Sequence, residues 1–575
     1  MNAMRYFRHP GSDGQRQYEV LRACFLERLP APIVAERFQL TAGNVRVLRH
    51  RFKQGLLTFS FRPSDAPGAR RGTSAEVRAR ILQMRREHPV SAGQIAEILD
   101  EEGVEINVRT VERILREAGL PRLPRRTRLA IGQTLDRTTV PDTSRKLASH
   151  ELKGRSVSSD IAGIFLFIPF LEQLGIPKLL SSLGLPGSKP IPALQYALSF
   201  LALKLAGTER LSHTDDHNFD EGLGLFAGLN VLPKCTAMST YAYSLDRKTI
   251  DSLQGGVVTA GHRLGLYQSP TINLDFHATP HWGDESVLDK NWVGTRSKGI
   301  KSALTVFAQD STSKLIMYSQ SDLRRSEADE QIHEFVAFWK KIARSVSPTL
   351  VFDSRFTNYR QLAKLDQQDV RFITLRRRGR TLIRRAEALP ASAWSRVSID
   401  HPKRKFRRPL VNESRVRLPG FPREIRQIIM RDNGHEKPTF LITNDDQSPI
   451  AVLVSRYAQR WNIENGIAEA VKFFSLNALS SPILVKVHFD VVLTMIADTL
   501  YYLIARRLRG FEECNAPKIF RHFIHGKGQI SIGVDEIVVR FPRRAHNPVI
   551  RSLDWTQLPD RVSWLGDRRL RFVWA

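Results

Sequence analysis

Near residue 270 the apolar residues of the chain change from a helical to an alternating spacing. Ile272 and Leu274 face one side of a predicted strand, and Asp275 projects from the other side. Two further strand patterns follow, then a helix, a short buried strand ending at Asp353, a second helix and a last strand. This order predicts a mixed sheet flanked by helices. The predicted segments after the first strand are strands 303–309 and 314–319, helix 327–346, strand 349–353, helix 358–365 and strand 371–375.

This order is the plan of a ribonuclease H-like fold, in which groups at the carboxyl ends of strands face the usual active-site crevice. A third carboxylate from a later helix would complete a cage for two divalent ions about 4 Å apart. Glu464 is the candidate, because Tyr457, Arg460 and Glu464 are spaced by three and four residues and share one face of a predicted single helix. Spacing alone also allows a solvated Arg–Glu ion pair, but the two upstream aspartates favour the site.

Asp275, Asp353 and Glu464 together resemble the DDE transposases of bacterial insertion sequences. The resemblance is closest to the subgroup with a Tyr-x2-Arg-x3-Glu signature and a strand-rich insertion between the second Asp and the Glu. It covers roughly residues 160–510 and includes Asp-Ser-Arg-Phe-Thr-Asn-Tyr at 353–359 and Leu-Ile-Thr-Asn at 441–444.

The resemblance implies that the three carboxylates hold two Mg²⁺ (or Mn²⁺) ions. It also implies that the protein cuts and joins DNA strands at the ends of a mobile element, as a homodimer or a higher assembly. Tyr457 and Arg460 would then bind phosphate near the scissile site. The family usually places a lysine seven residues after the glutamate; here Val471 holds that position and Lys472 follows it. Lys472 is therefore a DNA-binding candidate at a shifted place on the helix.

The stretch between Asp353 and Glu464 is too long for a ribonuclease H-like core, and residues 380–445 form the excess. Residues 371–430 hold 17 Lys/Arg against 4 Asp/Glu. Strand patterns there predict a basic β-subdomain that lies on DNA. Trp394 at its start is a candidate for stacking on a flipped base, although a core or rim aromatic is the favoured alternative. The predicted strands are 397–399, 415–418, 425–431 and 438–443.

The N-terminal residues predict two basic helix-turn-helix units, 1–60 and 70–128. Thr41 caps a helix over 42–54, and Ser74, Ser91 and Asn107 or Thr110 open the helices of the second unit. Residues 1–150 hold 27 Lys/Arg against 16 Asp/Glu, which favours DNA contact over the alternative of protein-binding modules. A basic arm at 121–128 either tracks phosphates or is a solvated linker. The DNA-binding candidates are Arg46, Arg49, Arg109, Arg113, Arg125 and Arg126.

Over the whole chain the net charge is +29 and the sequence pI is near 10.4, as expected for a partner of nucleic acid. The apolar run around 485–505 is broken by charges, so no membrane partner is expected. Cys24, Cys235 and Cys514 form no metal spacing and fit a reducing compartment. These features predict a cytoplasmic, nucleoid-associated bacterial protein.

The resulting fold class is a multidomain α+β protein: all-α helix-turn-helix units, then a ribonuclease H-like mixed α/β catalytic core with a β-rich insertion. Between them we expect a linker at 129–157 and a helical domain at 158–268, with helices predicted at 165–175, 192–207 and 239–253. The catalytic domain spans 269–510, and a basic region follows at 511–575. The polar cluster at 213–217 predicts a turn rather than a metal site, and His277 and His281 are more consistent with structural roles than with catalysis.

Two other functions remain open from the sequence. A domesticated DNA-binding regulator would keep the same fold and basic patches without catalysis. A stand-alone metal-dependent nuclease would share the carboxylates but would not need two sequence-reading units.

Overall fold

The computed structural model describes residues 13–57, 73–87, 90–104, 106–120, 142–281, 288–293, 297–321, 323–344, 348–399, 406–478 and 483–575. Contacts divide the chain into two compact units, Met1–Thr139 and Val140–Ala575.

The N-terminal unit contains two three-helix bundles, each with its own small core. Val20, Val34 and Val45 are buried in the first, and Ile95 and Val111 in the second. The helices are α1 (Asp13–Phe25), α2 (Ala31–Arg37), α3 (Ala42–Lys53), α4 (Ala75–Glu87), α5 (Ala92–Glu101) and α6 (Val108–Glu117).

The predicted helix caps of this unit are confirmed. The Thr41 hydroxyl accepts from the backbone N–H of Asn44 at 3.2 Å. Ser91 and Gln94 form a reciprocal capping box, and Asn107, rather than Thr110, opens α6. Helix α1 begins at Asp13, whose acidic side chain stands in the first turn.

The second unit begins with helices around a large apolar core. The helix predicted over 239–253 is interrupted, because Asp246 caps a new helix by accepting from the backbone N–H of Thr249 at 2.9 Å. These segments are α7 (Ser149–Leu152), β1 (Ser156–Ser159), α8 (Ile168–Gln173), α9 (Ile176–Ser182), α10 (Ala193–Leu205), α11 (Glu221–Phe226), α12 (Cys235–Tyr241) and α13 (Arg247–Arg263).

The predicted mixed sheet is present and has the strand order of a ribonuclease H-like fold. The strand that carries Asp275, β2, pairs antiparallel with β4 and parallel with β6, and β7 continues the parallel side. The segments are β2 (Thr271–Pro280), β3 (Lys290–Val293), β4 (Lys298–Asp310), β5 (Ile316–Gln320), α14 (Gln331–Ala343), β6 (Thr349–Phe352), α15 (Tyr359–Gln367), β7 (Phe372–Leu375) and α16 (Arg380–Glu387).

The β-rich insertion was predicted as a β-subdomain. In the structure its strands extend this sheet instead. Its last strand pairs antiparallel with β7, so ten strands form one sheet. Ile428 and Leu441 bury their side chains against the same core as Val351 of β6. The inserted strands are β8 (Ser395–Arg396), β9 (Leu410–Arg417), β10 (Glu424–Arg431) and β11 (Thr439–Thr443).

Three helices follow the insertion: α17 (Ile450–Gln459), α18 (Trp461–Phe473) and α19 (Leu484–Ala505). In the described part of the chain, α19 is the one unbent helix long and apolar enough to cross a membrane, and most of it is buried inside the protein. It packs against α10, α13 and β5, so its apolar surface is used by the core.

The C-terminal residues form a second, five-stranded sheet, in the strand order β1–β12–β13–β15–β14. Strand β1 comes from the end of the stretch predicted as a linker, and the buried Ser144 hydroxyl donates to the carbonyl of Val231 at 2.7 Å. Residues 142–157 are thus part of the folded unit. The new segments are α20 (Ala516–Ile519), β12 (Gly528–Ile532), β13 (Glu536–Phe541), α21 (Asn547–Arg551), β14 (Arg561–Val562) and β15 (Arg568–Trp574).

Candidate active site

Two of the three predicted carboxylates lie side by side at the centre of the large sheet. Leu274 of β2 pairs with Phe352 of the parallel strand β6, so the residues that follow, Asp275 and Asp353, are adjacent. Their Cα atoms are separated by roughly the 5 Å spacing between neighbouring strands. The Thr374 hydroxyl of β7 donates to the backbone carbonyl of Asp353 at 3.1 Å and holds the end of β6 in place.

Arg460 links Glu464 to Asp275. One guanidinium nitrogen of Arg460 donates to Asp275 Oδ2 at 2.9 Å and another donates to Glu464 Oε1 at 2.6 Å. The Arg460 and Asp275 side chains are both 15% exposed, whereas Glu464 is 41% exposed. The guanidinium therefore lies between a buried carboxylate and one at the rim of the site.

The helix that was predicted to carry Tyr457, Arg460 and Glu464 is broken at Arg460. Helix α17 ends at Gln459 and α18 begins at Trp461, although Arg460 keeps helical backbone angles. The prediction of a single helix is wrong, yet the three side chains stay together: Arg460 Cζ lies 5.9 Å from the centre of the Tyr457 ring.

Side chains of the central strands hold this break. The Asn273 amide of β2 donates to the carbonyl of Gln459 at 3.4 Å, and the Gln309 amide of β4 donates to the carbonyl of Asn462 at 3.4 Å. Both amides are fully buried, and the bond from Asn273 satisfies a carbonyl at the end of α17 that the break leaves without a helical partner.

Gly466 lets α18 approach the sheet closely. A Cβ atom at this position would lie 2.7 Å from the Gln309 amide nitrogen, so a larger residue would push the helix away. Sequence reasoning missed Asn273, Gln309 and Gly466; a glycine inside an apolar helix was the one signal that pointed to a close approach.

Burial controls the protonation of the site. It raises the pKa of Asp275 to about 7; Arg460 opposes this effect, while Asp353 and Glu464 add to it. Burial also raises the pKa of the Tyr457 phenol to about 12, so the phenol stays protonated at neutral pH. It lowers the pKa of Arg355, whose guanidinium lies 4.8 Å from the centre of the Phe276 ring.

The carboxylates open onto a cleft of about 800 Å³. Asp353 and Glu464 line it, together with the exposed ring of Trp461. The lining is also basic, because it includes the three arginines that follow β7: Arg376, Arg377 and Arg378.

The three carboxylates are of the chemical type that binds divalent ions, but in this structure they do not surround a common point at which an ion could bind. Among the described residues no three His, Cys, Asp or Glu side chains form a ready metal site, and Arg460 lies between two of the three candidates. Carboxylate oxygens are the ligands that Mg²⁺ and Mn²⁺ prefer. The buried Asp275 is also a group that a nearby cation would keep ionised, so the donor set fits such ions once Arg460 moves.

The structure places the other predicted residues of this unit outside the carboxylate cluster. Lys472 is exposed in the last turn of α18, two helical turns from Glu464. Trp394 packs with Ile429 and Phe440 in a small core, and the Arg431 guanidinium lies 4.9 Å from its ring centre. This packing favours the core or rim role for Trp394.

The histidines have structural surroundings. His277 pairs with Asn477 at 2.7 Å and so links β2 to the chain after α18. The backbone N–H of His281 donates to the carbonyl of Lys301 at 3.0 Å. The polar cluster at 211–217 forms a short 3₁₀ helix, as the predicted turn required.

In the N-terminal unit the predicted DNA-binding arginines lie on the third helix of each bundle. Arg46 is exposed on α3, and the Arg49 guanidinium lies 5.5 Å from the ring centre of Phe25. Arg109 and Arg113 are exposed on α6, where Arg113 is 3.7 Å from Glu117. Arg125 and Arg126 lie outside the described residues.

Comparison with known proteins identifies one region of the chain. Residues 44–115 match a homeodomain-like domain, which spans α3 to α6. No curated protein sequence matches the chain significantly.

Two solved structures show a distant likeness. The Mos1 transposase paired-end complex with the left transposon end is 12% identical, covers 63% of this chain and 77% of its own, and superposes with a TM-score of 0.13. The Mos1 strand transfer complex is 13% identical, covers 64% and 77%, and has a TM-score of 0.12. Scores this low mean that the whole chains do not superpose.

Proposed function

We propose that the protein is a DDE-type transposase that binds the ends of a mobile element and catalyses metal-dependent DNA strand cleavage and strand transfer. The observation that carries this proposal is the pairing of Asp275 and Asp353 on parallel strands of a ribonuclease H-like sheet, with Glu464 linked to Asp275 through Arg460, beside a cleft that Asp353, Glu464 and three arginines line. Three buried or half-buried acids facing a polyanion site have little structural use unless cations bind between them.

Asp275, Asp353 and Glu464 would hold two Mg²⁺ or Mn²⁺ ions. Such ions, when bound, activate a water or a 3′-hydroxyl and stabilise the leaving oxygen. Arg460 would then exchange its carboxylate partners for a phosphate oxygen, to which its guanidinium is well matched. The Tyr457 phenol, which stays protonated, would donate a second hydrogen bond to phosphate.

The three arginines that line the same cleft fit a DNA backbone. Arg376 donates to the Gln427 amide oxygen at 2.7 Å, Arg377 to the carbonyl of Ser354 at 3.4 Å, and Arg378 to the carbonyl of Pro438 at 3.4 Å. Among the described residues these partners are neutral, so the three positive charges remain available for phosphates.

The homeodomain-like match and the exposed arginines of α3 and α6 support sequence-specific recognition of the element ends. We also propose a bacterial insertion sequence as the source, assembly as a homodimer or larger complex on double-stranded DNA, and a location with the nucleoid in the cytoplasm. These features rest on the resemblance of the signature residues and on the net charge of +29.

The test uses purified protein, labelled DNA with the ends of the element, and Mg²⁺ or Mn²⁺. Asp275→Asn, Asp353→Asn and Glu464→Gln are each expected to lower cleavage by at least a hundredfold while DNA binding is kept. Glu469→Gln, on the same helix as Glu464, is the matched control and should cleave normally. Binding without cleavage by the unaltered protein would indicate a regulator, and cleavage without preference for the ends would indicate a nuclease.

A further inference from the structure

Five basic side chains of the C-terminal region lie together on the surface of the second unit. We name Lys518, Arg521, His522, Arg544 and His546 the C-terminal basic cluster. The rings of His522 and His546 stack at 4.3 Å with an angle of 13° between them. Arg544 donates to the carbonyl of Arg521 at 3.4 Å, and a nitrogen of Arg521 is 3.4 Å from His522 Nε2.

Phe511 holds the cluster together. Its ring centre lies 5.8 Å from that of His522, 5.7 Å from that of His546 and 5.3 Å from Lys518 Nζ. Lys518 and the two imidazole rings are therefore held by packing against one aromatic ring.

The cluster differs from three other arginines of the same region, which are paired with acids. Arg561, Arg569 and Arg571 each contact a carboxylate, at 3.3 Å (Asp567), 2.9 Å (Asp560) and 3.2 Å (Glu536). Within the described part of the chain, no acidic side chain pairs with a member of the cluster. Burial, then the charges of the other four members, lowers the pKa of His522. The cluster thus concentrates like charge, which a bound polyanion would relieve.

The cluster is connected to the helix that carries Glu464. Phe473, the last residue of α18, contacts Phe520 with ring centres 5.5 Å apart. Phe520 directly precedes Arg521 in the chain. The nine residues from Glu464 to Phe473 span about 14 Å of helix, which equals about four base pairs of B-form DNA at 3.4 Å per step.

We propose that the C-terminal basic cluster binds the phosphate backbone of double-stranded DNA beside the cleavage site, without reading base sequence. The proposal rests on the proposed function in that it takes DNA as the substrate of the cleft. Exposed Lys518 and Arg521, with half-buried Arg544, supply fixed cationic donors. Fixed charges of this kind position a duplex rather than identify its sequence.

The experiment compares two charge-matched double variants of the full chain. Arg521→Ala/Arg544→Ala removes two charges from the cluster, and Arg569→Ala/Arg571→Ala removes two paired charges from the same sheet. Affinity for a random-sequence duplex is measured by fluorescence anisotropy between 50 and 200 mM salt. The slope of log affinity against log salt should become about two units shallower for the cluster variant only, because about 0.9 counterion is released per phosphate contact.

Equal slopes for the two variants would overturn the proposal, since the effect would then be one of net charge. Thermal unfolding of both variants, and an Arg521→Lys/Arg544→Lys variant that should keep the original slope, guard against a folding defect. The measurement is made without divalent ions and repeated in a Glu464→Gln background. Cleavage is measured separately, with the unaltered protein, labelled element ends and Mn²⁺. A slope change together with no cleavage in that assay would reject the proposed function but keep this inference, and cleavage without a slope change would do the opposite.

Discussion

Arg460 supplies a positive charge at the point where two carboxylates meet. Its two hydrogen bonds, 2.9 Å to Asp275 and 2.6 Å to Glu464, put a cation in the place that the proposed chemistry requires for an ion. Such a guanidinium reduces the repulsion among the three acids when no ion is bound. It must also compete with divalent ions for the same oxygens.

Replacing Arg460 by glutamine is therefore expected to have opposite effects with and without metal. Without divalent ions the buried Asp275 loses its partner, which should lower the free energy of unfolding by about 1–3 kcal/mol. With saturating Mn²⁺ the variant should gain more stability than the unaltered protein, because ions no longer compete with the guanidinium. Urea unfolding with Mn²⁺ or with a chelator measures both effects.

Arg456→Gln is the control for this prediction. Arg456 lies on α17 and is 3.7 Å from Asp445, away from the three acids. Its loss should lower stability to the same extent with and without Mn²⁺. An equal gain from Mn²⁺ in the Arg460 variant and in the unaltered protein would show that Arg460 does not compete with metal.

At the residue scale the sequence identified charged side chains but not the residues that orient them. Asp275, Asp353, Arg460 and Glu464 were found because acids and a guanidinium stand out beside apolar runs. The amides and hydroxyls that hold them, such as Asn273 and Thr374, carry no such signal. Their partners are distant in sequence, so their roles depend on strand register and helix placement that only the fold defines.

Helix α19 carries two aspartates, Asp490 and Asp498, whose surroundings differ. Asp490 is 48% exposed and pairs with Lys204 at 2.8 Å, whereas Asp498 is partly buried. Burial, and then the charge of Glu469, raises the pKa of Asp498 to about 7. The folded protein thus holds a proton on Asp498 that the unfolded chain loses above about pH 4.

This difference predicts opposite results for two substitutions. The protonated Asp498 stabilises the fold fully below about pH 4. As the pH rises from there, the unfolded chain loses this proton while the folded state still holds it, so the stabilisation falls and is lost once the pH passes about 7. Asp498→Asn should therefore stabilise the protein at pH 8 by about 1–3 kcal/mol and flatten the pH dependence between 5 and 8. Urea unfolding at several pH values measures the change.

Asp490→Asn is the companion variant on the same helix. It leaves Lys204, which is only 11% exposed, without its carboxylate, and should destabilise the protein at both ends of this pH range. If Asp498→Asn were also destabilising at pH 8, the carboxyl would be ionised and stabilising in the folded state.

At the element scale, the periodicity of apolar residues predicted most of the core. The strands and helices predicted from 271 to 375 lie close to the positions that the alternating and helical spacings gave them, whereas β3 was not predicted. The breaks were missed, since Asp246 and Arg460 interrupt helices through capping and side-chain contacts that spacing does not reveal. The attachment of the insertion was missed too, because the apolar pattern of β11 does not show that its neighbour is β7.

At the scale of the whole molecule, the second unit is closed by residues from its two ends. Strand β1 pairs with β12, and the buried Trp564 indole donates to the carbonyl of Phe226 at 2.8 Å. Ile530 and Ile537 of the C-terminal sheet belong to the same core as the helices before the ribonuclease H-like sheet. From the sequence, 511–575 was predicted only as a basic region, because the charged residues there interrupt the alternating pattern of its short strands.

Two truncations are expected to behave differently as a consequence. A fragment of residues 140–575 keeps every contact of its core and should unfold cooperatively near the temperature of the full chain, while losing preference for particular DNA ends. A fragment of residues 1–510 exposes β1 and the apolar surface around Phe226, and its second unit should lose cooperative unfolding and aggregate. Trp564→Ala in the full chain is the milder test and should cost about 3–5 kcal/mol. Calorimetry measures all three, and a cooperative transition of the second unit in fragment 1–510 at the temperature of the full chain would show that the C-terminal sheet is an appendage rather than part of the core.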